Sequence, residues 1–239
     1  MKQKYGTGRL PFVADTRDDS YTPMRLAAML ELGMATPVSW TNANHVLDQG
    51  EQPECVAFGT LGLLNTDDEM HNDPHFGNAE ARDFFATIPG AGPQGAYVRD
   101  GLKAAKAAGL IEAYALLRSD AEVDEWLESH GPVLLGTAWT KRMTETVGGI
   151  VIVDTTASET GHCYFWHGQD VYYRLGTNSW GEGWAEGGRF KMRRCDDGRL
   201  RHAGGEAWAV VQPVPVQAPR EGFLAALLAA IAQLFKGGK

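Results

Sequence analysis

Three separate segments of the sequence hold side chains that could carry out nucleophilic chemistry: LDQGEQPECVAF, TGHCYFW and LGTNSWGEGW. A cysteine attacks a carbonyl group as its thiolate, which forms readily only beside an imidazole or at a helix N-terminus. Cys55 follows a loop that contains glycine and proline, and it begins an apolar helical run. Its sulfur is therefore expected at the positive end of a helix dipole, which makes Cys55 the candidate nucleophile.

The other two segments supply partners for this thiol. His162 follows a glycine at the start of a predicted strand and is the candidate base, and Asn178 at a strand end is expected to orient its ring. Trp180 is expected to cover the His–Asn hydrogen bond and keep water away from it. Gln49 lies six residues before Cys55, so its amide could donate to the oxyanion that forms during attack, with the Cys55 N–H as the second donor.

At these residues the chain resembles the papain family of cysteine peptidases. Residues 49–58 are similar to the block around the family's nucleophile, with the same Gln-to-Cys separation, and residues 178–184 match its Asn-Ser-Trp-Gly-x-Gly-Trp block. His162 stands 16 residues before Asn178, which is similar to the family's spacing. The resemblance covers residues 35–212 and implies an endopeptidase that forms an acyl-enzyme on Cys55, whose pKa is expected to be lowered.

The resemblance also implies a substrate-binding wall. Residues 95–97, Gly-Ala-Tyr, are similar to the family's Gly-Gly-Tyr stretch, which pairs its backbone with an extended peptide. Gly161 and Cys163 should line the pocket for the side chain one before the scissile residue. We expect this pocket to be small and neutral and to favour an apolar side chain. The expected substrate-binding residues are Gly95, Ala96, Tyr97, Gly161, Cys163 and Trp180.

The chain also departs from the family pattern. Gln52 stands where secreted members have a disulfide-bonded cysteine, and Val56 replaces the tryptophan after the nucleophile. The first 34 residues are too few for a long inhibitory propeptide, so this arm either occupies the cleft until it is cut or is a permanent structural strap. Residues 17–23, RDDSYTP, resemble an N-terminal stretch of bacterial and phage members without a long propeptide, which favours the strap.

Hydrophobic patterning predicts an α+β fold, with a helical lobe over about 37–130, an antiparallel sheet or barrel lobe over about 131–212, and the cleft between them. Helices are predicted from Cys55, from Asn78 as an N-cap, over Tyr97 to Leu110, and after a capping box formed by Ser119 and Glu122. The predicted strands are VLLGTAW, GIVIVD, HCYFWHG, VYYRLGT, GRFKMRR and EAWAVVQPV. Basic residues in 191–194 are interpreted as the solvated face of a strand.

Three further units flank this domain. Residues 1–36 form the polar arm, which includes a short helical stretch, MRLAAMLEL, and residues 213–219 form a proline-rich linker. Residues 220–239 are predicted to contain an amphipathic helix that is too short to span a bilayer. Its apolar face, within 220–236, suits contact with a membrane surface, a second copy or another protein.

Composition limits the classes of function. The chain has 239 residues, 44% hydrophobic, with a net charge of −8 and a pI near 5.4, so nothing favours nucleic-acid binding. Three cysteines and no signal-peptide pattern indicate a reducing compartment, taken as the cytoplasm of a bacterial or phage-infected cell. The expected partner is a polypeptide substrate.

No cofactor is expected, and alternative functions stay open. The acidic and histidine-containing stretch 67–75 could hold a divalent ion, although a solvated loop explains it better, so no metal is expected. A transferase or isopeptidase on the same fold would use the same residues as a peptidase. A papain-like module with little activity and a structural or virion-associated role is the third alternative.

Overall fold

The computed structural model describes residues 5–15, 17–18, 20, 36–40, 46–67, 76–155 and 160–213. The helix predicted within the arm, most of the acidic stretch 67–75, nearly all of the linker 213–219 and the helix within 220–236 lie outside the described residues. No described helix has the length and apolar character that crossing a bilayer would require.

The described residues form five α-helices. They are α1 (Cys55–Leu64), α2 (Asn78–Thr87), α3 (Val98–Ala107), α4 (Asp120–Ser129) and α5 (Arg194–His202). The Ser119 side chain caps α4 by accepting from the Glu122 N–H at 3.2 Å. The N-cap of α2 is Gly77 rather than Asn78, because the Asn78 side chain accepts from the Asp48 N–H at 2.8 Å instead.

Within the described part of the chain, nine strands form one sheet. They are β1 (Val38–Ser39), β2 (Ala113–Leu116), β3 (Val133–Trp139), β4 (Thr146–Val147), β5 (Ile150–Val151), β6 (Thr160–Gln169), β7 (Tyr173–Thr177), β8 (Arg189–Arg193) and β9 (Glu206–Val211). Their order is β2-β9-β3-β6-β7-β8-β5-β4, with β1 paired to β6. All pairs are antiparallel except β5 with β8. The predicted α+β class, helices packed on a mostly antiparallel sheet, is confirmed.

The division into a helical and a sheet half is less clean than the sequence predicted. Strand β2 lies in the stretch assigned to helices, and it pairs with β9 near the end of the domain. Helix α5 lies in the stretch assigned to strands. Arg194 begins this helix and pairs with Asp124 at 2.5 Å, so it does not extend the face of β8 as predicted.

Helix α1 packs closely on β6 because of two glycines. A Cβ at Gly59 would lie 3.0 Å from the Cys163 sulfur, and one at Gly62 would lie 3.0 Å from the Phe165 ring. Residues four apart share one helix face, so Cys55 faces the sheet as Gly59 does. The first turn of α1 is thereby held against the start of β6, where His162 lies.

Candidate active site

Cys55 is the first residue of α1 and is completely buried. Backbone groups of Cys163, Gly8 and Arg9 interact with its sulfur. The thiol therefore lies between the residue that follows His162 on β6 and a stretch of the N-terminal arm.

His162 on β6 and Asn178, which directly follows β7, form a buried pair. The His162 Nε2 is 2.7 Å from the Asn178 Oδ1, which also accepts from the Ser179 N–H at 2.8 Å. Because an amide oxygen only accepts, Nε2 carries the proton, and Nδ1 of the neutral ring holds a lone pair. Nδ1 has no hydrogen-bond partner among the described residues. It is the atom that can take a proton from a thiol.

Aromatic rings enclose the imidazole. Trp180 stacks on His162 with ring centroids 4.7 Å apart, and Trp139 contacts it edge-on at 5.1 Å. Burial lowers the pKa of His162 to about 4, although the Asn178 hydrogen bond acts in the opposite direction. The ring is neutral over most of the pH range in this enclosed state.

Gln49 is held in the loop that precedes Cys55. Its Nε2 donates to the Gln52 carbonyl at 2.7 Å, and its Oε1 accepts from the Ser179 hydroxyl at 2.5 Å. The second bond connects Gln49 to the segment that carries Asn178. This fixes the orientation of the amide, which is what an oxyanion donor requires.

The N-terminal arm crosses the cleft as an extended strand. Gly8 and Arg9 both donate their N–H to the Gly161 carbonyl at 3.1 Å. The Ala96 N–H donates to the Gly8 carbonyl at 2.8 Å, and the Leu10 N–H donates to the Ala96 carbonyl at 2.9 Å. Arg9 and Ala96 therefore pair in parallel. The arm uses backbone groups of the expected substrate-binding wall.

The same arm covers the tryptophan side of the site. Tyr5 stacks on Trp180 with centroids 4.8 Å apart, and the Trp180 indole N–H donates to the Gly6 carbonyl at 2.8 Å. The Gly6 N–H donates to the Gly50 carbonyl at 2.7 Å. The structure thus places the arm in the cleft, which is the first of the two roles considered from the sequence, whereas the sequence favoured a permanent structural strap.

Enclosure by the arm reverses the expected pKa shift of Cys55, the candidate nucleophile. Burial raises the pKa of Cys55 to about 12, although nearby backbone groups and the Arg9 charge act to lower it. The expectation of a lowered pKa is wrong for this state, because a thiolate without solvent or an imidazolium beside it is poorly stabilised. Thiol and imidazole are both neutral while the arm is in place.

The pocket beside Gly161 is occupied by the Arg9 side chain. The Arg9 Nε donates to the Glu206 Oε1 at 3.0 Å, and both side chains are almost fully buried. The expectation of a small neutral pocket is wrong, because Glu206 on β9 places a carboxylate in it. No local sequence pattern indicates that Glu206 lies near Gly161 and Cys163. Tyr97, which was also assigned to this wall, is 38% exposed and adjoins α3.

A second basic residue holds the outer part of the arm. Arg99, on α3, pairs with Asp18 at 2.8 Å and with Asp15 at 3.7 Å, and it donates to the Val13 carbonyl. Its guanidinium also lies over the Phe12 ring. The arm is thus fixed to the helical side of the cleft beyond the point where it covers Cys55.

Solved structures of cysteine proteases share this arrangement of helices and sheet. Xylellain, a cysteine protease from Xylella fastidiosa, aligns with a TM-score of 0.73 and 19% identity over 90% of this chain and 98% of its own. Digestive procathepsin L2 from the Tenebrio molitor larval midgut aligns at 0.67 and 17% over 87% and 78%. The cysteine protease CMS1MS2 from Carica candamarcensis aligns at 0.59 and 14% over 75% and 99%.

The fold is papain-like. No protein-family model matches the chain, and no curated protein matches it in sequence. Within this papain-like fold, all three cysteines are free, and Cys195 is exposed on α5. Burial raises the pKa of Cys163 well above its usual value, so this thiol is unreactive. The described residues contain no group of acidic, histidine or cysteine side chains that could hold a metal ion.

Adding one methyl group to the arm is expected to open the papain-like cleft. A Cβ at Gly8 would lie 2.4 Å from the Pro53 carbonyl oxygen, so Gly8→Ala should weaken seating of the arm by about 1–3 kcal/mol. We expect alkylation of Cys55 by iodoacetamide at pH 7 to accelerate roughly 5- to 150-fold. Val13→Ala, which changes an exposed arm side chain, is the matched control. Equal alkylation rates in Gly8→Ala and the unsubstituted chain would show that the arm does not limit access.

Proposed function

We propose that this chain is a cysteine endopeptidase that hydrolyses peptide bonds through an acyl-enzyme on Cys55 and is kept latent by its own arm. The observation that carries the proposal is the buried His162–Asn178 pair, with a hydrogen-bond distance of 2.7 Å, together with a thiol at the start of α1 whose sulfur interacts with the backbone of Cys163, the residue after His162. The proton on Nε2 is fixed by Asn178, so Nδ1 serves as the base. This division of roles is what thiol activation requires.

The proposed reaction has two steps. With the arm displaced, Cys55 gives its proton to Nδ1 of His162, and the thiolate attacks the substrate carbonyl carbon. Gln49 Nε2 and the Cys55 N–H donate to the oxyanion, because the first N–H groups of a helix have no intrahelical acceptor. His162 then protonates the leaving amine. A water molecule, deprotonated by His162, finally hydrolyses the thioester and frees the thiol.

The way the arm binds in the cleft is evidence that the substrate is an extended polypeptide. Its bonds to Ala96 and Gly161 use backbone groups only, which any peptide sequence can satisfy. Gly95 has φ +99°, and a Cβ there would lie 1.4 Å from the Gly8 carbonyl oxygen, so a side chain at this position would exclude a strand from the cleft. A free thiol nucleophile and three unpaired cysteines suit a reducing compartment, and we propose the cytoplasm.

The test uses the epoxide E-64, which is bound in the solved structure of the Carica cysteine protease. The full chain and Gly8→Ala are each incubated with E-64, and the labelled residue is identified by peptide mass spectrometry. We expect one equivalent on Cys55, none on Cys195, and faster labelling in Gly8→Ala. Digestion of a peptide library should yield new carboxyl termini.

The alternatives give different outcomes in the same experiment. A transferase or isopeptidase would label on Cys55 but join peptides to an added amine, or cut only side-chain amides, in place of hydrolysing peptide backbones. A binding module would show neither labelling nor cleavage, even in Gly8→Ala, and that result would contradict the proposed function.

A further inference from the structure

The Arg9 side chain fills a narrow slot that ends at a buried carboxylate. The guanidinium contacts Glu206 Oε1 through Nε at 3.0 Å and through Nη2 at 2.9 Å, and Nη2 also donates to the Gly204 carbonyl at 3.2 Å. The side chains of Arg9 and Glu206 are 5% and 2% exposed. The slot thus recognises both the charge and the hydrogen-bond donors of an arginine.

Glycines shape the slot for a long, unbranched side chain. A Cβ at Gly136 would lie 2.9 Å from the Arg9 Nε and 2.8 Å from the Glu206 Oε1. A Cβ at Gly161 would lie 2.9 Å from the Arg9 Cδ. A side chain at Gly136 would block the inner end of the slot, and a side chain at Gly161 would block it along its length. The slot therefore needs both glycines to admit an arginine.

The Glu206 carboxylate has a second partner besides Arg9. The Trp208 indole N–H donates to the Glu206 Oε2 at 2.8 Å, so one oxygen is held by the protein itself and Oε1 is left for the occupant of the slot. When the arm withdraws, Oε1 loses its cationic partner. A buried carboxylate that has lost its partner strongly favours another cation over a neutral group.

We propose that Glu206 is a specificity-determining residue, and that the slot takes an arginine or lysine side chain of the substrate. This side chain belongs to the residue that precedes the scissile residue, whose carbonyl Cys55 attacks. This inference rests on the proposed peptidase function and names its substrate class: peptides with a basic side chain at that position. Arg9 occupies the slot in the latent protein as a built-in substitute for that side chain.

The test compares peptides that differ at this one position. Full-length Gly8→Ala is assayed with two fluorogenic peptides, identical except for arginine or norleucine at the residue before the scissile one. Norleucine is unbranched and neutral, so the comparison isolates the charged group. We expect kcat/KM to be about 100-fold higher for arginine, because truncating one side of a buried charged pair has effects of this size.

Exchange of the carboxylate for an amide provides the decisive variant. In Gly8→Ala with Glu206→Gln, the arginine-to-norleucine ratio should fall about 100-fold, toward equality. Glu145→Gln, at an exposed glutamate, is the matched control and should keep the ratio. The ratio is taken within each variant, so a general loss of folded protein cancels. Equal rates for both peptides in Gly8→Ala would overturn the inference.

A binding measurement separates this inference from the proposed function. Cys55→Ala combined with Gly8→Ala cannot turn over peptides, so their binding is measured directly by calorimetry. The arginine peptide should bind about 100-fold more tightly than the norleucine peptide, and Glu206→Gln should remove the difference. Equal binding, or none, would overturn the inference even if E-64 labels Cys55. Selective binding without labelling or cleavage would instead retain the slot and reject the peptidase.

Discussion

Cys55→Ala, made in the Gly8→Ala background, is expected to lower peptide hydrolysis by about 10⁶-fold, because the thiol and its base act as one unit. Of the other two cysteines, Cys163 is buried with a pKa well above its usual value and Cys195 is exposed on α5, so neither is placed to act as a substitute nucleophile. Hydrolysis is measured as release of new termini from a peptide that Gly8→Ala cleaves.

Cys195→Ala is the control for this substitution. Cys195 is exposed on α5, away from the sheet residues that carry His162 and Asn178, and its loss should leave the rate unchanged. A Cys55→Ala variant that retained more than a thousandth of the activity would require a different nucleophile. That outcome would contradict the assignment of Cys55.

Acidification from pH 7 to pH 4 is expected to shift the equilibrium of the arm toward the open state by about 100-fold. The pKa of His162 is about 4 under the arm, compared with 6.5 in water, so the open state binds a proton that the closed state does not. The contribution of neutral His162 to the stability of the closed state is fully present above about pH 6.5 and is lost as the pH falls toward 4. The change in this equilibrium corresponds to about 3 kcal/mol.

Other groups at the arm act in the same window or do not titrate in it. Burial raises the pKa of Glu206, so its protonation weakens the Arg9 pair as the pH falls. The pKa of Asp15 is lowered, mainly by the Arg17 hydrogen bond, so its charge persists through this window. At the alkaline end, the Cys55 pKa of about 12 destabilises the closed state above pH 9.

Amide hydrogen exchange measures this equilibrium without depending on the thiol. The Leu10 N–H, bonded to the Ala96 carbonyl, should lose about 100-fold in protection between pH 7 and pH 4 after correction for intrinsic exchange rates. An amide in the centre of β3, such as that of Leu135, is the control. His162→Gln should flatten most of the dependence. Protection of Leu10 that is unchanged with pH would exclude His162 as the titrating group.

The parts of the site that the sequence predicted are those with local signals. Cys55 at a helix start, and Asn178 at a strand end, follow from glycine, proline and the change in hydrophobic period. Those signals predicted the helices and most of the strands for the same reason. The α+β class followed from their order along the chain.

The parts that were missed depend on contacts between distant residues. Arg9 and Glu206 are 197 positions apart, and nothing in either neighbourhood indicates that they meet. The pKa direction of Cys55 was wrong because it depends on whether Gly8 and Arg9 cover the sulfur. Strand β2 is short, and its pairing with β9 outweighs the helical character of its surroundings. The one local indication in the sequence was the alternation of Gly6 and Gly8, which is typical of an extended segment that packs closely against other backbone.

The covalent attachment of the arm to the domain determines how far a single backbone cleavage can lower the fraction of closed clefts. Residues 5–15 are held over Cys55 by contacts within the cleft and also by the backbone, which joins Ser20, bridged to Leu116, to Val38 in β1. A tethered segment experiences an effective concentration on the order of millimolar. One peptide-bond scission in this interval would turn the blocker into a separate peptide at the concentration of the protein itself. At micromolar protein this is a dilution of about a thousandfold, and it needs no change in any contact within the cleft.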